Sequence, residues 1–295
     1  MMHNASCESR KRPIGIFDSG LGGLTVLGEI RKLLPHEDII YFGDNGRTPY
    51  GTKSRETVVR YTLQDVGFLK SKGVKAVVIA CNTASACSLD TVRATFDIPV
   101  IEVIEPGSAA AVRATSHGRI GVIGTQATIE SGVYERAIRA AASRIYRGGK
   151  SGGSEPEIKY FGKACPLFVS LAEEGWWDGE ITRLTAEKYL APLKEAHVDT
   201  LVLGCTHYPL LTPVIAGVMG PEVRLINSAA VVADAVKERL LAAGLLRDTG
   251  YGDEDGKKAN VAFYTSDSIE KFKTLGSRFL GAGVSPVEKI DIEKY

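Results

Sequence analysis

The stretch Thr200-Leu201-Val202-Leu203-Gly204-Cys205-Thr206-His207-Tyr208-Pro209-Leu210-Leu211 runs from apolar residues into a cysteine, then polar groups, then a proline suited to open a helix. The pattern predicts a buried strand that delivers a thiol to a helix N-terminus. A second copy stands earlier in the chain, at Ala76-Val77-Val78-Ile79-Ala80-Cys81-Asn82-Thr83-Ala84-Ser85. Two such units predict two thiols facing a common site.

A free thiol titrates at about 8.5, and a helix N-terminus lowers that value. Each cysteine is therefore expected to be able to hold a thiolate near neutral pH. One cysteine would suit a nucleophile. Two matched cysteines suit a different task, in which one takes a proton from a carbon and the other returns one to the opposite face. That inverts a stereocentre without redox chemistry and without a cofactor. The simpler reading of any buried cysteine is a small apolar residue, and Cys87 and Cys165 read that way because they lack the strand–Cys–polar context. Cys7 lies in the N-terminal tail. A cysteine hydrolase would need a nucleophile–base–orienter set, which gives a second equivalent thiol no role. With no Cys-x-x-Cys pair, Cys205-x-His207 is a poor metal pattern, and no metal site is expected.

Asp18 closes a predicted strand, where it can cap the following helix or orient or deprotonate a thiol. His207 can serve Cys205 in the same way. Asp44 and Glu173 are carboxylates in unusual contexts, each alone readable as a solvated charge. Gly20-x-Gly22-Gly23 lacks both the P-loop and the dinucleotide spacing, and reads instead as a tight turn that lets backbone approach a small ligand. Trp176-Trp177 marks either an interface or ordinary core.

The 295 residues have room for two domains, and 44% hydrophobic with 24% charged residues is ordinary for a globular chain. A net charge of +1 argues against nucleic acid as a partner. No apolar run is long enough for a membrane span, and residues 1–12 lack a signal-peptide core and read as a loose tail, so a cytoplasmic location is expected. Predicted strands at 14–17, 39–42, 76–79, 100–103, 120–124, 158–161, 200–204, 223–226 and, last, 261–264 alternate with helices, which implies parallel sheets covered on both faces. Ser54 should cap a helix with Val59, Leu63 and Val66 on one face. The chain is expected to cross between halves at Glu105-Pro106-Gly107. After it Ile120-Gly121-Val122-Ile123 echoes Ile14-Gly15-Ile16-Phe17, a weak internal duplication whose second copy is lengthened, in part by the Gly- and Ser-rich 147–157 stretch. Residues 253–258 read as a charged surface loop. Asp18, Cys81, Thr125 and Cys205 all fall at carboxyl ends of strands, where such sheets bind ligands.

At these residues the sequence resembles the cofactor-independent glutamate racemases of bacteria, within the aspartate/glutamate racemase group. The resemblance rests on Phe17-Asp18-Ser19-Gly20-Leu21-Gly22-Gly23, Gly43-Asp44 with Pro49-Tyr50-Gly51, Cys81-Asn82-Thr83-Ala84-Ser85 and Gly204-Cys205-Thr206-His207-Tyr208-Pro209-Leu210-Leu211. It implies two pseudo-symmetric α/β domains with mainly parallel sheets, one of residues 13–104 and 228–295 and one of 105–227, with the site in the cleft between them. It implies interconversion of L- and D-glutamate for peptidoglycan, with no cofactor, and leaves a homodimer open. By similarity Cys81 and Cys205 are the two bases, assisted by Asp18 and His207. Asp44 and Glu173 take supporting roles. Ser19, Pro49, Tyr50, Gly51, Asn82, Thr83, Thr125, Thr128 and Thr206, with Asp18 and His207, match the substrate-holding positions. Ser170 stands where the family often has proline, the tail and the 147–157 loop look long, and Ser266-Asp267 lacks a glycine often seen there. The other readings are a racemase for aspartate or another small acid, a decarboxylating relative, expected to keep only one of the two cysteines, and a binding protein on the same fold.

Overall fold

The computed structural model describes residues 7–147, 157–247 and 259–295. Where a loose tail was expected, α1 (Cys7–Lys11) is already helical, and Lys75 Nζ donates to the Arg10 carbonyl at 2.6 Å. The first half follows as β1 (Ile14–Asp18), α2 (Leu24–Leu33), β2 (Ile39–Gly43), α3 (Arg55–Ser71), β3 (Ala76–Ile79), α4 (Asn82–Thr95) and β4 (Val100–Glu102). Glu105-Pro106-Gly107, where the chain was expected to cross between halves, lies in the first turn of α5 (Ile104–Ala114); proline is tolerated in a first turn, where the N–H has no partner to lose. The second half comprises β5 (Arg119–Gly124), α6 (Gln126–Glu130), α7 (Val133–Arg147), β6 (Lys159–Ala164), α8 (Leu167–Glu173), α9 (Glu180–Glu195), β7 (Thr200–Gly204), α10 (Thr212–Met219) and β8 (Arg224–Asn227). It returns through α11 (Ser228–Ala242) to β9 (Val261–Thr265), α12 (Ile269–Leu280) and β10 (Val287–Lys289). The last helix and strand were not foreseen: β10 is short and mostly exposed, so it carries no apolar run.

All strand pairs are parallel, in two sheets ordered β10-β9-β2-β1-β3-β4 and β6-β5-β7-β8. The run β2-β1-β3-β4 matches β6-β5-β7-β8, which pairs β1 with β5 and β3 with β7. The faint sequence repeat is therefore an architectural one, and the two cysteines leave equivalent strands.

Strand periodicity sorts the side chains by face. Ile14, Ile16, Ala76 and Val78 point to one side of the first sheet, with Phe17, Val77 and Ile79 on the other. In the second sheet Ile120, Val122 and Val202 oppose Ile123, Leu201 and Leu203. The first group from each sheet belongs to one apolar cluster, filled by Leu27 of α2, Val112 of α5, Ile138 of α7 and Val232 of α11. The halves share a core.

Ser54 caps α3 by accepting from Thr57 N, and Gly73 beyond its end has φ +74°, a left-handed conformation that suits glycine. The buried residues of α3 are Val58, Thr62, Asp65, Val66, Phe68 and Leu69, however, while Val59 and Leu63 are only half-buried. A buried aspartate obscured the pattern. Most of the 147–157 loop, and all of 253–258, lie outside the described residues. No helix among the described residues is long and apolar enough to cross a membrane.

Candidate active site

Asp18 ends β1, Cys81 follows β3, Thr125 follows β5 and Cys205 follows β7, all at the carboxyl ends of the sheets. Cys81 is itself the N-cap of α4, its Sγ accepting from Ala84 N at 3.5 Å. Cys205 differs. Its carbonyl accepts from Tyr208 N, so the chain tightens into a 3-10 turn over Tyr208–Leu211 before α10 begins. The expected helix N-terminus at this second thiol is absent, because that short turn takes the place of the first helical residues.

The two thiols are each 6% exposed, yet their surroundings diverge. Burial pushes Cys81 up to about 12, with the Asp18 carboxylate adding to the rise, so its helix N-terminus does not produce a thiolate. Its Sγ donates to Ser19 Oγ at 3.5 Å. Cys205 Sγ lies 3.8 Å from His207 Nδ1, and His207 Nε2 lies 3.1 Å from Glu173 Oε1. Burial disfavours charge on this imidazole, but Cys205 and Glu173 outweigh it and hold His207 up at about 10. Cys205 thus faces an imidazolium backed by a carboxylate. Glu173 reaches that position from the end of α8, which forms without a proline at Ser170.

The halves meet through the loops beyond β1 and β7. Thr206 Oγ1 donates to Asp18 Oδ1 at 3.3 Å, and Thr25 Oγ1 donates to the Thr206 carbonyl at 3.2 Å. A Cβ on Gly22 would lie 2.2 Å from Thr206 Oγ1 and 2.7 Å from His207 Nδ1, so only glycine permits this approach. Asp18 also accepts from Gly20 N at 3.0 Å; burial raises its pKa, opposed chiefly by His207. Asp18 stands beside Cys81, but the hydrogen bond to that thiol is made by Ser19.

Near Cys81, the hydroxyls of Thr83, Thr125 and Thr128 form a triangle with sides of 2.9, 2.9 and 3.3 Å. Gly51 packs against it, since a Cβ there would fall 2.6 Å from Thr125 Cβ. Pro49 is exposed. Tyr50 does not offer its hydroxyl to this cluster: it is bound to Asp44 and, at 2.8 Å, to Asp65 Oδ2. Asp44 accepts from Arg47 Nε at 2.7 Å and from Ser266 Oγ at 2.7 Å, and Arg47 reaches Asp65 Oδ1 at 2.9 Å. Asp44 and Tyr50 therefore belong to a buried charged network that braces the segment presenting Gly51. Arg47 and Asp65 were not singled out from sequence, and Ser266 was noted only as a departure from the family pattern; the one available signal was a charge on the buried face of α3. Tyr134, likewise missed, donates to Asn82 Oδ1 at 2.7 Å.

No group of three His, Cys, Asp or Glu side chains with metal-holding geometry occurs among the described residues. A cavity of about 860 Å³ opens elsewhere, with Arg93, Glu102 and Lys237 in its lining, and touches none of the site residues above.

The profile of the Asp/Glu/hydantoin racemase family matches residues 25–236. A glutamate racemase of Geobacter metallireducens is 50% identical over 282 residues, covering 96% of this chain and 97% of that protein. Among solved structures, a Bacillus anthracis glutamate racemase superposes with a TM-score of 0.85 at 38% identity, covering 96% of this chain and 98% of that one. A Francisella tularensis glutamate racemase, solved in complex with D-glutamate, gives 0.84 at 37%, covering 97% and 100%.

Proposed function

This chain belongs to the glutamate racemases of the Asp/Glu/hydantoin racemase family, and from that membership we propose that it interconverts L- and D-glutamate with Cys81 and Cys205 as paired acid and base. The observation that carries the mechanism is the delivery of two enclosed thiols from equivalent strands, near enough that charge on Cys205 would raise the Cys81 pKa.

In the resting state proposed here, the Cys205 thiolate is paired with the His207 imidazolium and Cys81 is a thiol. Cys205 takes the α-proton of one enantiomer, breaking the C–H bond and forming S–H. The electron pair left on the α-carbon then takes the Cys81 proton from the opposite face. The mirror-image substrate runs the same steps in reverse from a Cys81 thiolate. For that direction the high pKa of Cys81 is the obstacle, and the substrate ammonium beside Asp18 supplies positive charge that lowers it. Asn82, Thr83, Thr125, Thr128 and Thr206, with Ser19 and the Gly51 backbone, supply donors suited to a dicarboxylate. Cys81, Cys205, Asp18 and His207 are all buried, and electrostatic contacts are stronger there than in water. The steps balance without a cofactor, and the D-glutamate formed is assigned to peptidoglycan supply in the cytoplasm.

Incubation with L-glutamate in D₂O, without added cofactor, tests this directly. The expected result is α-deuteration with appearance of D-glutamate, and loss of racemisation in Cys81→Ala and Cys205→Ala. Exchange with aspartate but not glutamate would move the substrate and keep the two thiols. No exchange with any small acid would sink the racemase reading. Growth rescue of a D-glutamate auxotroph tests the cellular role.

A further inference from the structure

Tyr134 is the one fully buried tyrosine of α7, and it reaches across the two halves. Its ring packs on the strand end that delivers Cys205: a Cβ on Gly204 would lie 3.2 Å from Tyr134 Cε2. Its hydroxyl donates to Oδ1 of Asn82, at 2.7 Å, in the first turn of α4 and next to Cys81. Asn82 is 2% exposed, and its Nδ2 has no hydrogen-bond partner among the described residues. A buried amide donor left unpaired is costly, so a ligand group that pairs with it in use would offset that cost.

An asparagine amide has two faces of opposite character, an acceptor oxygen and a donor NH₂. Which one faces a ligand is fixed by what holds the other. Tyr134 offers a donor, and burial with the neighbouring Glu102 carboxylate keeps that phenol protonated. A donating hydroxyl selects Oδ1, which leaves Nδ2 as the free group of a side chain flanked by Cys81 and by Thr83 of the hydroxyl triangle. An NH₂ there attracts a carboxylate, whereas the flipped amide would repel one.

We propose that Tyr134 is a positioning residue for the substrate: its hydroxyl locks the Asn82 amide so that Nδ2 is presented to a carboxylate of the bound amino acid. The inference rests on the racemase reading above. It also makes substrate affinity depend on closure, because the lock is in one half and the amide in the other.

The test is steady-state racemisation of L-glutamate, followed by circular dichroism, for wild type, Tyr134→Phe, Asn82→Ala and the double variant. Tyr134→Phe should raise KM about tenfold, the loss expected of one hydrogen bond to a charged group, with a smaller change in kcat. In the Asn82→Ala background the same substitution should add nothing to KM. A merely structural tyrosine would give additive losses in both backgrounds, and that result would overturn the proposal, as would an unchanged KM in a folded Tyr134→Phe. Wild type that fails to racemise glutamate would overturn the racemase reading and this inference with it. If Tyr134→Phe does not fold, ¹⁵N-asparagine labelling of wild type decides. The Asn82 side-chain amide should shift on addition of D-glutamate, and an unmoved signal overturns the assignment.

Discussion

Glu173 holds the Nε2 side of His207 at 3.1 Å while the Nδ1 side faces Cys205 Sγ at 3.8 Å. This carboxylate–imidazole–thiol relay has no counterpart at Cys81, whose thiol bonds to Ser19 and to the Ala84 N–H. The two thiols of a pseudo-symmetric site thus have different neighbours.

Neutralising the outer member of the relay should be visible in the pH profile. Glu173 raises the His207 pKa, so Glu173→Gln should bring it down from about 10. The imidazolium would then be lost at lower pH, moving the alkaline limb of kcat/KM down by about one unit and roughly halving activity at pH 9. Superimposable profiles of variant and wild type would refute the relay. The same raised pKa bears on stability, through a contribution fully present below His207's ordinary 6.5 and lost as pH rises through about 10.

Glu102, at the end of β4, gives a stability prediction of its own. Its carboxylate accepts from the N–H groups of Ile104 and Glu105, opening α5, yet burial pushes it up to about 7 from an ordinary 4.5, with Glu105 adding repulsion and Arg93 opposing. The native state therefore holds this proton over a range where the unfolded chain has released it. Its stabilising contribution is greatest below 4.5 and falls as pH rises through about 7, by up to about 3 kcal/mol. Urea unfolding of wild type and Glu102→Gln at pH 5 and pH 8 checks it. The variant should flatten the difference, and an equal pH dependence in both would count against the burial argument.

Gly22 is the contact where the loops of the two halves meet. A methyl group there would overlap Thr206 Oγ1 and the His207 ring. Gly22→Ala should lower kcat/KM by about a hundredfold, the scale of a displacement near 1 Å at reacting groups. The melting temperature should fall only a few degrees, because both loops can part without uncovering the core. Near-normal activity would show that the halves need not approach this closely.

The sequence made the architecture and both thiols readable because each signal was local. An apolar run ending in a small residue and a cysteine specifies a strand and its carboxyl end wherever it occurs. The features it hid are those set by distant partners. Asp65 looked like an error in the apolar face of α3 until Arg47 and Tyr50 were seen to satisfy it. Tyr50 was expected at the substrate and Asp44 in a supporting role, and the hydroxyl of Tyr50 binds Asp44 in the network that braces Gly51. The thiolate-stabilising helix end at Cys205 was inferred from Pro209, but a 3-10 turn occupies that stretch. Tyr134 carried no signal at all, because a tyrosine in a helix acquires meaning only from the amide it meets.

The apolar cluster that runs through both sheets has a bearing on how such a molecule comes apart. Each half alone would leave a face of its sheet, Ile14, Ile16 and Val78 or Ile120, Val122 and Val202, bare to water. Neither half has the makings of an autonomous folding unit, and heating should melt the chain in one calorimetric peak rather than two. Motion that admits a ligand must then be a tilt about this common seam, with the seam itself intact. A gene carrying only one repeat could have yielded a working ancestor only by pairing with its own copy across the same face.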